Sequence, residues 1–168
     1  MLTRRDYIIK WGSYGAVSLL LTLLFSLTLR DLRVLGVTMF LPPLLVGVVA
    51  SLEDTKSAVI YAIVVGVLCD LTIAGTFPCV YTLAFTAASL CCSILAKSVL
   101  QPGFLCSLAL TTLTFVFVDV LNMLALRLKC HAEAGPMLLM MLCETAVSCI
   151  LLVVCHPVLL HLHRKFTI

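Results

Sequence analysis

The sequence predicts an all-α integral membrane protein with six transmembrane helices. Three observations point there. Of 168 residues, 62% are hydrophobic and only 11% charged, and the mean hydropathy of +1.21 lies far above that of soluble domains. Six apolar segments of 19 or more residues can be marked off, each near the roughly 20 residues a helix needs to cross a 30 Å hydrocarbon core. All but three of the charged residues fall outside these segments, in the short stretches between them and at the two ends of the chain.

The segments are residues 11–29, 34–52, 57–75, 77–96, 103–126 and 136–160, read as one transmembrane domain covering 1–168. The first opens on Trp11 behind the basic Arg4, Arg5 and Lys10, which read as a cytoplasmic anchor. The second contains Pro42 and Pro43 about eight residues from one end. Each proline removes an i to i−4 hydrogen bond, so a kink is expected there, with the carbonyls of Thr38 and Met39 freed. Pro78, Pro102 and Pro136 mark the starts of the fourth, fifth and sixth segments, where a missing N–H costs nothing. Connections this short force neighbouring helices to run antiparallel.

Orientation follows from Lys and Arg counted loop by loop. With a cytoplasmic N-terminus, the inner side holds Arg4, Arg5, Lys10, Lys56, Lys97, Arg164 and Lys165. The outer side holds Arg30, Arg33, Arg127 and Lys129. Both termini are therefore expected in the cytoplasm. The net charge of +3 follows this topology and forms no basic patch with interleaved aromatics, which argues against nucleic acid as a partner. Nine cysteines, an odd number scattered through apolar runs without a C-x-x-C pair, read as small packing residues; Cys130, in an expected outer loop, is the candidate reactive thiol.

Three acids interrupt the apolar segments: Asp70, Asp119 and Glu144. Intramembrane acids cost roughly 2.5 to 3.5 kcal/mol each on insertion scales, so they are functional candidates by default. At 1.5 Å of rise per residue they sit roughly 8, 11 and 12 Å inside the expected outer ends. Tyr81 enters at a similar depth, and Asn122 follows Asp119 by three residues, on the same helical face. Gly66 lies one turn from Asp70, where a neighbouring helix can approach the backbone. Three readings of this outer polar layer remain open: uncharged acids bonded between helices, a partner or gating site, and a solute pocket open to the outside. A proton relay is set aside, because nothing polar reads on through the inner half.

Catalytic readings find little support. The contexts Val67-Leu-Cys-Asp70 and Val116-Phe-Val-Asp119 lack the Gly-x-Gly-Asp of intramembrane aspartyl proteases, and H-E-x-x-H, G-x-S-x-G and P-loop patterns are missing. His156, His161 and His163 cluster near the last helix end, which leaves metal binding open, but they read first as interfacial residues complementing its dipole. No catalytic residue, metal or cofactor is expected. Gly12-x-x-x-Ala16 and Gly47-x-x-x-Ser51 offer faces for close helix packing.

The run Gly66-Val-Leu-Cys-Asp70-Leu71, followed by Gly75, the Phe77-Pro78 step and a later Val118-Asp119-Val120, resembles the MreD family. MreD is the small multispanning subunit of the bacterial rod-shape machinery, the elongasome. In it a proline-bearing second span precedes a G-x-x-x-D-L-x-x-G block, and a second Asp lies in the fifth span. The match runs from Pro42 to about Leu126, with Phe77-Pro78 standing where the family often has Leu-Gly. The resemblance implies a non-enzymatic protein of the bacterial inner membrane that binds MreC. Through MreC it would reach the MreB filament system, RodA and a class B penicillin-binding protein in peptidoglycan synthesis. That family is similar in fold to the substrate-binding S components of ECF-type vitamin transporters, which makes an outward-facing ligand pocket the alternative.

Overall fold

The computed structural model describes residues 4–28, 40–72, 79–98, 103–130 and 134–167. They form six helices: α1 (Arg4–Thr28), α2 (Pro42–Leu52), α3 (Thr55–Thr72), α4 (Val80–Ser98), α5 (Phe104–Cys130) and α6 (Ala134–Thr167). An apolar chain in lipid must satisfy its backbone polar groups internally, and a helix does so within one segment. Four stretches are long and apolar enough to cross a membrane: Thr55–Thr72, Val80–Ser98, Phe104–Leu128 and Leu138–Lys165. The chain is thus an α-helical, membrane-embedded protein.

The second segment departs from expectation. Phe40 and Leu41 lie outside the helix, and α2 starts at Pro42 with both prolines in its first turn. At these positions proline has no intrahelical N–H bond to lose and its fixed φ suits a helix start, so among the described residues the two prolines open a helix. The carbonyl of Leu41 takes the first bonds, from the N–H groups of Leu44 and Leu45 at 3.0 and 3.2 Å. Thr38 and Met39, whose freed carbonyls the kink reading required, lie outside the described residues, as does Gly75. At 11 residues, α2 is only about 16 Å long.

This short helix is the centre of the bundle. Every residue from Pro43 to Ala50 is buried, and α2 packs against α3, α4, α5 and α6. The outer helices invert the pattern of a soluble protein: Leu71 (78%), Leu105 (77%) and Leu128 (71%) stand exposed on their outer faces. Such a continuous apolar exterior suits lipid. A turn of two residues, Glu53 and Asp54, joins α2 to α3 and makes them antiparallel.

Two glycines mark close crossings. A Cβ built on Gly47 of α2 would stand 2.7 Å from the Cα of Thr111 in α5, and one on Gly66 of α3 would stand 2.6 Å from the Cα of Thr82 in α4. Backbone meets backbone at both points, so neither site has room for a side chain. Gly12 and Gly15 of α1 are different, with nothing within 4 Å of a built Cβ.

The sixth helix runs longer than its apolar segment. It carries on past Leu160 to Thr167 and brings His161 and His163 onto its last turns. At 34 residues it measures about 51 Å, well beyond the 30 Å core.

Candidate functional site

Polar side chains gather at both ends of the bundle. At one end, the first backbone N–H groups of α4 have no partner inside their own helix. Asp70, near the end of α3, supplies them. Its Oδ1 accepts the Tyr81 N–H at 3.1 Å and its Oδ2 accepts the Thr82 N–H at 3.0 Å, while the Thr82 hydroxyl donates to Oδ2 at 2.5 Å. A carboxylate at a helix N-terminus is also favoured by the positive end of the macrodipole. Asp70 therefore acts as a cap donated by one helix to the next, and Gly66, one turn away, permits the approach that makes the cap reachable.

The residue before this turn carries a mark of the geometry. Cys79 has φ 65°, in the left-handed region that non-glycine residues seldom adopt, and its carbonyl accepts the Leu83 N–H at 3.1 Å.

Tyr81 extends the polar group across the bundle. Its phenol pairs with the side chain of Asn122 on α5 and lies within electrostatic reach of Glu144 on α6. Glu144 in turn lies within reach of Asp119 on α5. The ring of Tyr81 packs between Phe40 and Phe85, with centroids at 5.7 and 6.1 Å. The structure thus brings Asp70, Tyr81, Asn122, Asp119 and Glu144 to one end of the bundle. Their environments differ. Both oxygens of Asp70 are engaged, whereas the half-buried Asp119 and Glu144 make no hydrogen bond with another described residue.

The opposite end holds a group that sequence reasoning missed. Glu53, assigned to a connecting turn, points inward with a side chain only 6% exposed. Lys10 Nζ of α1 lies 2.7 Å from its carboxylate, Tyr14 Oη donates to Oε1 at 3.0 Å, and His163 Nδ1 of α6 lies 2.8 Å from Oε1. One carboxylate thus joins α1, the end of α2 and α6. Its neighbour Asp54 faces outward and pairs with Lys97 at 3.1 Å, both well exposed. No periodicity links positions 10, 53 and 163. The only available signal was an acid beside a buried helix end in a turn too short to carry both acids away from the core.

The three C-terminal histidines separate. His156 is buried with its ring edge-on to Phe104 at 5.5 Å, His161 is exposed, and His163 joins Glu53. Among the described residues, no group of three or more His, Cys, Asp and Glu side chains is placed to hold a metal ion. Eight cysteines are free thiols, and the side chain of Cys130 lies outside the described residues. The polar chemistry is that of capping, ion pairing and helix fastening.

Comparison with protein-family models, with curated proteins and with solved structures gives no match.

Proposed function

We propose that this chain is a non-enzymatic, MreD-like subunit of the bacterial elongasome. In this reading it crosses the inner membrane six times with both termini cytoplasmic. It scaffolds or regulates peptidoglycan synthesis through MreC, and through MreC reaches MreB, RodA and a class B penicillin-binding protein. The observation that carries the reading is the division of labour among the three acids. Asp70 is consumed in capping α4, which fits a structural G-x-x-x-D block, while Asp119 and Glu144 remain half-buried without a hydrogen bond to another described residue. Acids left so in an apolar bundle suit an interhelical contact completed by a partner's donors.

The test is co-purification from membranes with the MreC-like protein of the same cell, together with cell shape after depletion. The wild-type chain is expected to retain MreC, and the Asp119→Ala, Glu144→Ala double variant to lose it while keeping its own melting temperature. Depletion without loss of rod shape sinks the reading.

One observation favours the alternative of an ECF-type S component. The small-residue face of α1 at Gly12 and Gly15 is open, as a helix that docks a coupling subunit requires. A vitamin-sized molecule co-purifying with the chain, and ATPase genes beside its own, would support this alternative over the first.

A further inference from the structure

Hydroxyl groups continue through the part of the bundle where the sequence suggested no polar path. On α4, Thr82, Thr86, Ser89 and Ser93 follow at intervals of four, three and four residues, which places them on one face. On α5, Ser107, Thr111 and Thr114 do the same. The two faces meet: Cys92 Sγ lies 3.4 Å from the Leu110 carbonyl and 3.7 Å from Thr114 Oγ1. The central α2 joins them, with Ser51 Oγ 2.8 Å from Ser107 Oγ and a Cβ position on Gly47 only 2.9 Å from Thr111 Oγ1. Ser89, Ser93, Ser107, Thr111 and Thr114 are all at most 1% exposed.

A buried hydroxyl in a helix normally donates to the carbonyl one turn back. Thr86 and Thr114 do so, at 2.6 and 2.9 Å. The hydroxyls of Ser89, Ser93 and Thr111 bond to no described residue. Leaving a buried polar group unsatisfied costs roughly 1–3 kcal/mol, and three in one seam is a large burden for an otherwise well-packed core. Residues three and four apart on a helix have Cβ atoms roughly 5–6 Å apart, a spacing on the scale that one water bridges with two ordinary hydrogen bonds. Buried water characteristically makes about three bonds to such otherwise unsatisfied groups.

We propose that the α2–α4–α5 seam is a water-binding track. Ser89, Ser93 and Thr111 hold a short file of water molecules, which runs from the Ser51–Ser107 pair toward the Thr82–Asp70 cap. This makes the bundle polar along an internal thread that connects its two ends. The inference is independent of the elongasome reading and holds equally for a transporter subunit. The competing account is that these residues serve only as small side chains permitting close helix contact.

Radiolytic hydroxyl labelling of the full-length protein in nanodiscs, carried out in 18O-water, separates the two. Phe115, one turn from Thr111, is 0% exposed and becomes hydroxylated with water-derived oxygen only if water lies beside it. Wild type is expected to label at Phe115, and Thr111→Val to reduce that label severalfold while exposed Phe104 is unchanged. Thr111→Val should also lower the melting temperature, because it removes a satisfied hydroxyl at constant shape. Ser93→Ala serves as the second variant should Thr111→Val not fold. An unlabelled Phe115 in wild type, a label indifferent to both substitutions, or a raised melting temperature overturns the proposal.

Discussion

The Cα of Thr82 lies 2.6 Å from where a Cβ on Gly66 would stand, so α4 rests directly on the backbone of α3. This contact holds the start of α4 within reach of Asp70, and the cap depends on it. Because the obstructing atom is backbone and not a flexible side chain, any substitution at Gly66 must displace the helix.

Gly66→Ala and Gly47→Ala are each expected to destabilise the protein by about 1–3 kcal/mol, the usual cost of overpacking. Gly12→Ala and Gly15→Ala, on an open helix face, are expected to be neutral or to stabilise by up to about 1 kcal/mol through helix propensity. Thermal denaturation in one detergent distinguishes the pairs; a harmless Gly66→Ala would contradict the close crossing.

Asp70→Ala strands two backbone N–H groups and a hydroxyl at the start of α4. A loss of about 2 kcal/mol is expected, the upper range for a helix cap. Asp70→Asn keeps a single acceptor and should lose about half as much. Hydrogen exchange at Tyr81 and Thr82 reads the cap directly, and exchange unchanged in Asp70→Ala would rule it out.

Glu53→Ala leaves the Lys10 ammonium, with a side chain 9% exposed, without its counter-charge. Breaking a buried pair from one side costs about 3–5 kcal/mol. The double variant Lys10→Met, Glu53→Leu should recover much of that, since it removes both charges. Lys97→Ala breaks the exposed pair with Asp54 and should cost under about 1 kcal/mol. A double-mutant cycle on melting temperature checks the contrast: equal costs for Glu53→Ala and Lys97→Ala would refute the buried network.

Cys79 holds φ at 65°, and glycine tolerates that conformation where other residues lose about 1–2 kcal/mol. Cys79→Gly is therefore expected to stabilise the protein. Maleimide should label exposed Cys79 in the folded protein and spare the buried Cys92 and Cys155; the reverse order would contradict the placement of the α4 start.

The acids and their spacing can be read from the chain, and so can the proline signals, though not that Pro42 and Pro43 stand in the first turn of α2. In an unbroken apolar run a proline reads as a kink, and only the position of Pro42 as the first residue of α2, behind Leu41 as its N-cap, shows it opening a helix. The role of Glu53 is not legible, because a charge between two apolar segments reads as solvated. The hydroxyls of Ser89, Ser93 and Thr111 do not stand out in the chain, because serine and threonine disturb hydropathy little and carry no charge.

By itself the sequence determined that this is a helical protein built for an apolar surround. Hydrophobic content and segment length are local properties, and lipid permits few alternatives to a helix for such a chain. The tertiary structure decided which polar groups meet: Asp70 with the start of α4, Glu53 with Lys10 and His163, and the short α2 at the centre of the bundle. Those meetings join residues up to 110 positions apart. They depend on where two glycines let backbones touch and on which face of each helix turns inward, which a near-uniform apolar pattern does not encode.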